Sequence, residues 1–285
     1  MRIPGADLVR IASARVSEWA ERQDPASWPG VAVGTWRRYE AIDGPLQSAL
    51  LALYILVAVL PALLVMEEYL ETDPFALATA LTRHFGLSAA TASLLRGVLS
   101  HDRAHELGSA LLAVAGALFF GLGLGRVLQL VHARAWNVAL PSRQADQGRY
   151  ALVLLGLYGL ILLLLVQQTY LSYGASWVRF ALTPVWVALL ALYFAWTPRL
   201  LTHKLVRWRD LLPGAVLTAA TLVLLMWVSR YALEYWIDFY AQDYGGFGVV
   251  MAIFFWIALS SAMIVAAASL GPPLAARRAQ LTAGS

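Results

Sequence analysis

Long stretches without an ionisable side chain divide the sequence from residue 46 onwards. The two nearest the C-terminus are the clearest, because no charged residue lies between Leu211 and Val228 or between Phe247 and Leu270. At about 1.5 Å per residue, each stretch is long enough as a helix to cross a hydrocarbon core of roughly 30 Å. The residues between them are rich in Tyr, Trp, Asp and Glu. This pattern predicts a membrane hairpin with an aromatic, wet connector.

The same pattern predicts six membrane-spanning helices, and hence an all-α, polytopic helix bundle. The predicted spans are Leu46–Met66, Leu107–Gly125, Tyr150–Val166, Trp177–Trp196, Leu211–Val228 and Phe247–Leu270. Gly121 and Gly125 are four residues apart, a spacing that favours close contact between helices. We expect Pro61 and Pro184 to kink or interrupt their spans, because proline removes a backbone donor.

The polar segments complete the predicted organisation. Residues 1–45 form a cytoplasmic or interfacial N-terminal segment, 46–271 the six-span domain, and 272–285 a cytoplasmic tail. Apolar residues at helical spacing from Leu8 to Trp19 predict an amphipathic helix, with a solvated helix and linker as the alternative. Pro25, Pro29 and Gly30 are expected to end this segment. The connector from Glu67 to Glu106 predicts two further amphipathic helices on the extracytoplasmic side.

Composition agrees with a membrane protein. The 285 residues are 60% hydrophobic and 13% charged, whereas soluble domains are about 45–50% apolar and about 25% charged. The absence of cysteine excludes disulfides and thiolate metal sites. We therefore attribute the net charge of +4 to basic residues that orient the protein in the membrane, and not to nucleic-acid binding.

The positions of the basic residues predict the orientation. With the six spans above, 16 of the 21 Lys and Arg residues fall on one side of the membrane. The positive-inside rule puts that side in the cytoplasm, so both termini are expected there. An even number of spans also requires the termini on the same side.

Candidate chemistry is sparse. There is no phosphate-binding glycine loop, so no ATP-driven mechanism is encoded, and no His-Glu-x-x-His motif. His101 and His105 would share a helix face and could begin a metal site, although a solvated helix end is the alternative. His84, His132 and His203 are isolated and are read as interfacial. No cofactor and no metal ligand is predicted.

Charged residues near the spans are interpreted as interfacial and not as part of a transport route. Arg126, Arg179 and Arg230 lie at span ends, where a long side chain can reach the interface. A transport route would then be lined by uncharged polar groups, or these groups would only bond within the helices. The candidates are Gln167, Gln168, Thr183, Thr218, Thr221, Ser260 and Ser261.

Local motifs along residues 36–275 resemble the YihY/BrkB family of bacterial inner-membrane proteins. The first span ends in Pro61, and the segment from His132 to Val138 contains Trp136 and Asn137. The remaining matches, in chain order, are Pro198, Pro213, Gly214, Tyr244, Gly245 and Trp256. Family members commonly have Glu shortly after the glycine that ends the sixth helix, but here Pro272 and Pro273 follow Gly271. A role for that carboxylate cannot be carried over.

The resemblance implies a location more than an activity. We expect a multi-pass inner-membrane protein that is a transporter or a lipid or solute permease without its own ATPase, with the motif residues as candidate pathway. The alternative is a structural or regulatory protein that acts through partners. A membrane enzyme is the third reading; the family once carried a ribonuclease BN label, and clustered carboxylates for a nuclease are missing. Expected partners are the bilayer, a solute or lipid, and a second copy or another protein, but not nucleic acid.

Overall fold

A computed structural model describes residues 15, 18–70, 93, 106–139, 146–171 and 176–283. All elements within these ranges are helices, so the all-α prediction is confirmed. The six elements are α1 (Trp28–Ala41), α2 (Gly44–Leu70), α3 (Glu106–Ala135), α4 (Gln147–Leu171), α5 (Ser176–Leu201) and α6 (Trp208–Ala283). The predicted helices near Leu8 and between Glu67 and Glu106, with His84, His101 and His105, lie outside the described residues or almost entirely so.

The predicted membrane hairpin is α6, which consists of two limbs joined at Gly245. Its backbone there has φ 58° and ψ −137°, a region that essentially only glycine adopts without strain. The limbs fold back on each other, since Trp236 meets Trp256 near Gly245 and Gly214 lies against Ala267 far from it. The connector is therefore helical almost throughout. The limb formed by residues 208–244 is about 55 Å long at 1.5 Å per residue.

Three helical segments of the described chain are long and apolar enough to cross a membrane. They are Leu182–Leu201, Trp208–Ser229 and Val250–Ala283. A fourth is obtained if α1 and the first part of α2, which meet at a bend of 66°, form one broken span. These helices support a membrane-spanning bundle. The number of six spans stays a prediction.

Prolines lie inside two helices and at the start of a third, and a kink at Pro61 or Pro184 stays a prediction. Helices α2 and α5 run through Pro61 and Pro184 without an interruption. Pro29 and Gly30 do not end a helix but lie in the first turn of α1, where the Ser27 hydroxyl accepts a hydrogen bond from the Gly30 backbone N–H. A first turn tolerates proline, because its N–H groups have no partner within the helix.

Helix α3 is held tightly on two sides by its glycines. A methyl group at Gly125 would lie 2.6 Å from Cβ and 2.9 Å from Cα of Tyr150 on α4, and one at Gly121 would overlap Leu154. Gly123 faces Tyr54 of α2 in the same way. The close contact predicted from Gly121 and Gly125 is thereby confirmed. Around it lies an apolar core that includes Leu51, Leu124, Val131, Val153 and Val265.

The C-terminal residues extend α6 and pack on α1. Pro273 approaches Gly34, and the Arg277 guanidinium lies 4.0 Å above the Trp28 ring while its Nε donates to the Ala26 carbonyl at 2.7 Å. This region, together with the C-terminal ends of α3 and α5, the start of α4 and the start of α6, is called the basic end. Its cations include Arg134, Arg149, Arg199, Lys204, Arg207, Arg209, Arg277 and Arg278.

Candidate functional site at the basic end

Two helices stop at the basic end through the same backbone device. At the end of α3, the Val138 N–H donates to the Ala133 carbonyl at 2.8 Å and the Asn137 N–H to the Arg134 carbonyl at 3.2 Å. Asn137 has φ 55°, the left-handed conformation that follows a helix and that asparagine tolerates better than most residues. The family motif residue Asn137 is thus explained as a helix terminator.

The end of α5 repeats this pattern with less common residues. The Lys204 N–H donates to the Arg199 carbonyl at 2.9 Å, and His203 and Lys204 have φ of 54° and 64°. Left-handed backbone at two successive residues other than glycine is uncommon. It turns the His203 side chain back toward the start of α4.

A buried polar network joins α3, α4 and α5 at this end. Gln129 is fully buried, and its Nε2 donates to Asp146 Oδ2 at 2.8 Å and to the Leu201 carbonyl at 3.0 Å. Its Oε1 accepts from the Tyr150 hydroxyl and from Arg126 Nη1 at 2.9 Å. One amide therefore bridges three helices, with every polar atom of that amide engaged. Arg126, expected to reach for the interface, instead donates into the protein.

Asp146 is the charged centre of the network. Its side chain has no exposed surface, although it is the residue just before α4. Arg149 Nη1 donates to Oδ1 at 3.3 Å, and His203 Nε2 lies 2.9 Å from the same oxygen. That ring nitrogen, Nε2, is buried and faces the carboxylate without a hydrogen bond of its own within the described residues. Buried carboxylates require such partners.

A small cleft opens beside this network, between α3, α5 and both limbs of α6. The space for the centre of a water molecule is about 20 Å³, which is room for about one water. The lining residues are His132, Trp136, Phe194, Pro198, Leu211, Gly214, Ala215, Thr218, Ile264, Ala267, Ala268 and Gly271. His132, expected at the interface, is buried here, and a ring nitrogen, Nδ1, lies 2.8 Å from the Leu128 carbonyl.

Glycines let the walls of the cleft approach each other. A methyl group at Gly214 would lie 2.8 Å from the Ala267 carbonyl oxygen of the other limb, and one at Gly271 would lie 2.6 Å from Cζ2 of Trp136. Both contacts would be tighter than side chains allow. The indole of Trp136 therefore packs flush against the second limb of α6.

Pro213, near the start of α6, also lies at the basic end, whereas three motif residues lie at the other end of the hairpin. Residues 235–256, called the tip, contain Tyr244, Gly245 and Trp256. The Trp236 and Trp256 rings meet edge to face at 6.2 Å between centroids, and Tyr240 stacks on Phe255 at 6.1 Å. Tyr244 is exposed. The structure thus splits the sequence-predicted set between two ends, and Pro61, in α2, belongs to neither.

Three of the seven uncharged polar candidates bond within their own helix. Thr218, Thr221 and Ser260 donate to the carbonyl four residues earlier. Ser261 is fully buried without a hydrogen-bond partner among the described residues. The side chains of Gln167 and Gln168 lie outside the described residues. The route made of these groups stays a prediction.

Sequence reasoning missed Gln129, Asp146 and Tyr150. The available signal was spacing, because Arg126 and Gln129 lie one turn apart on α3, as do Asp146 and Arg149 at the start of α4. His203 was read as isolated, but its partner is distant in sequence. Among the described residues, no three His, Asp or Glu side chains come together to hold a metal ion.

A family model named Virulence factor BrkB matches residues 35–282. The chain belongs to the virulence factor BrkB family. No curated protein and no solved structure gives a significant match. In this BrkB-family chain the motif residues Trp136, just after α3, Pro198 in α5 and Gly214 in α6 line one cleft. The family resemblance expected from the sequence is confirmed.

Proposed function

We propose that this protein is an inner-membrane permease without its own ATPase, and that the cleft at the basic end is part of its substrate route. The observation that carries the proposal is the convergence of Trp136, Pro198 and Gly214 on one cleft beside a buried charged network. Buried ionisable groups inside a membrane bundle are costly and usually serve a function.

The chemistry of the cleft favours an amphiphilic substrate. Its walls are apolar except for His132, Thr218 and the indole N–H of Trp136, and the Thr218 hydroxyl already donates to Gly214. The helix ends around it carry many cations, among them Arg199, which lies 5.6 Å from the Trp208 ring centre. An anionic lipid or a similar amphiphile fits apolar walls with a basic rim better than a small polar solute does.

Reconstitution tests the proposal. Purified protein is placed in vesicles of phosphatidylethanolamine and phosphatidylglycerol with a trace of fluorescent phosphatidylglycerol, and external dithionite reports movement between leaflets. Fluorescent phosphatidylcholine and a small anionic dye are run in parallel. Protein-dependent movement of the anionic lipid is expected. The proposal is wrong if none of the three probes moves faster than in empty vesicles.

Matched tryptophan variants locate the route. Trp136→Ala removes a wall of the cleft, whereas Trp256→Ala removes a ring from the tip and leaves the cleft intact. We expect the first variant to change the transport rate and the second to change stability only. Equal effects of both on transport, after correction for folded protein, would contradict a route through the cleft.

The orientation belongs to the same proposal. We place both termini and the basic end in the cytoplasm, because most Lys and Arg residues cluster there. Reporter fusions at residue 283 and in the tip, with alkaline phosphatase active only outside the cytoplasm, test this. Phosphatase activity from the C-terminal fusion would reverse the orientation.

A structural or regulatory role is the second candidate, and the size of the cleft favours it. A space for about one water does not pass a solute in this conformation. Such a role predicts a protein partner that purifies with the chain, and substitutions at Pro61 or Asn137 that act through stability alone. We propose no catalytic activity, cofactor or nucleic-acid partner.

A further inference from the structure

We infer that Gln129, Asp146 and His203 form a latch that holds the cleft closed. The inference rests on the proposed function only in calling the cleft a route. It concerns the opening of a gap between α3 and α5, which can be measured whether or not anything is transported. The latch is the set of contacts that tie these two helices and the start of α4 together.

The first step is the position of the latch beside the cleft. Gln129 precedes His132 by three residues on α3, and Leu201 follows Pro198 by three residues on α5. Residues three apart lie on the same helix face. The bond from Gln129 Nε2 to the Leu201 carbonyl, at 3.0 Å, therefore lies about one turn from the place where His132 and Pro198 line the cleft.

The second step is that, among the described residues, α3 and α5 each have their main packing surface on a different helix. Helix α3 packs extensively on α2, and α5 packs extensively on α6, but α3 and α5 contact each other only sparsely. The bond from Gln129 to Leu201 is thus a direct link between two helices that each pack mainly on another element. Helices joined in this way can separate without loss of either main packing surface.

The third step is how the ties depend on one another. The Asp146 carboxylate receives Gln129 Nε2 on Oδ2 and faces Arg149 and His203 at Oδ1. Moving the end of α5 away from α3 would break the Gln129–Leu201 bond and withdraw His203 from Asp146 together. Water entering the widened cleft would then solvate the carboxylate, which lowers the cost of the open form.

The absence of cysteine makes the opening measurable. Thr218→Cys places a single thiol on the cleft wall, where Thr218 is 4% exposed. The full-length protein in phosphatidylglycerol-containing vesicles is treated with a membrane-permeant maleimide, and the labelling rate is measured. The test variants in this background are Gln129→Leu, Asp146→Asn and His203→Asn, the last because asparagine tolerates the left-handed backbone at that position.

We expect each variant to raise the labelling rate, on the order of tenfold for Gln129→Leu, as loss of a buried hydrogen bond shifts the closed state by that factor. Two controls separate a latch from general loosening. Tyr193→Phe removes a buried bond from α5 to the Val153 carbonyl of α4 and should leave the rate unchanged. A thiol at the exposed position Gln280 should label equally fast in all variants.

The outcomes are distinct. Faster labelling at position 218 alone supports the latch. Unchanged labelling in His203→Asn and Asp146→Asn overturns it, and so does acceleration by Tyr193→Phe of the same size. If Gln129→Leu does not fold, the other two variants carry the test. Faster labelling without lipid movement would support the latch and count against the permease. Lipid movement with unchanged labelling would support the permease and overturn the latch.

Discussion

At the basic end, α3, α4 and α5 meet through the amide of Gln129, the carboxylate of Asp146 and the carbonyl of Leu201. At the tip, the two limbs of α6 meet through rings, Trp236 on Trp256 and Tyr240 on Phe255. Directional bonds require one arrangement of their partners, whereas aromatic contacts tolerate several offsets. The basic end is therefore built for a defined, switchable closure, and the tip for adaptable packing of its two limbs.

The largest expected loss of stability comes from removing the central amide of the polar network. Gln129→Leu keeps the approximate volume but leaves Asp146 Oδ2 and the Leu201 carbonyl without the donor they share. Each unsatisfied buried group costs about 1–3 kcal/mol, so we expect the free energy of unfolding to fall by about 3 kcal/mol. Reversible unfolding in detergent micelles measures it.

Ser260→Ala is the matched control for Gln129→Leu. The Ser260 hydroxyl donates only to the Trp256 carbonyl of its own helix, and its loss leaves no buried donor unpaired. A change below about 0.5 kcal/mol is expected. A comparable loss in both variants would show that the network is no more important to stability than an ordinary helix hydroxyl.

The next effect compares one glycine from each end. Gly214→Ala and Gly245→Ala should each cost about 1–3 kcal/mol, but for different reasons. At Gly214 a methyl group meets the Ala267 carbonyl, whereas at Gly245 there is open space among the described residues and the backbone alone is strained. Stability of both variants is measured by the same unfolding experiment.

Side-chain size separates the two causes. Gly214→Leu should be much worse than Gly214→Ala, because the larger side chain has nowhere to go, while Gly245→Leu should equal Gly245→Ala. Gly148→Ala, with no neighbour within 4 Å among the described residues, is the neutral control. Equal dependence on size at both positions would refute the assignment of strain to the tip.

A smaller effect tests the helix terminator. Asn137→Ala should destabilise by about 1 kcal/mol, because alanine lacks the local hydrogen bonding that lets asparagine adopt φ near 55°. Asn137→Gly should be neutral or slightly stabilising. Thermal unfolding of the two variants measures the difference. If both are equally unstable, the Asn137 side chain has a role beyond the backbone.

How far the sequence predicted these features follows from the range of each interaction. The apolar helices, the hairpin and the Gly121–Gly125 contact follow from patterns within one segment, so they could be predicted, while the count of six spans stays a prediction. The glycine at position 245 could indicate a reversal of the chain. That both limbs stay helical up to this glycine could not be predicted from the sequence. Hydropathy scales score Tyr and Asp as polar, and such residues therefore indicate a connector. A helix can nevertheless continue through polar residues.

The buried network could not be predicted, because its members are far apart in the sequence. Gln129 and Leu201 are 72 residues apart, and no single segment shows that an amide in one helix satisfies a carbonyl at the end of another. The burial of Asp146 could not be predicted, because it depends on Gln129 of α3 and His203 after α5 as well as on the nearby Arg149. The motif residues Trp136 and Gly271 were visible separately, and only packing shows that they touch.

Coupling across the tip gives a more modest prediction. A double-mutant cycle of Trp236→Ala and Trp256→Ala should give a coupling free energy of about 0.5–1.5 kcal/mol, the range for edge-to-face pairs. Unfolding of the wild type, both single variants and the double variant supplies it. Because the contact is not ionic, the value should be the same at low and high salt. Additive single effects would show that the rings only fill space.

The smallest effect belongs to the surface of the basic end. Arg134 Nη1 lies 3.9 Å from Asp43 Oδ2, with both side chains about half or more exposed. Exposed pairs contribute roughly 0.2–1 kcal/mol and are screened by salt. A cycle of Arg134→Gln and Asp43→Asn should therefore give a coupling near the low end that disappears at about 1 M salt. Asparagine is chosen because residue 43 has φ 55°. A salt-resistant coupling would mean that this pair belongs to the buried network rather than to the solvated rim.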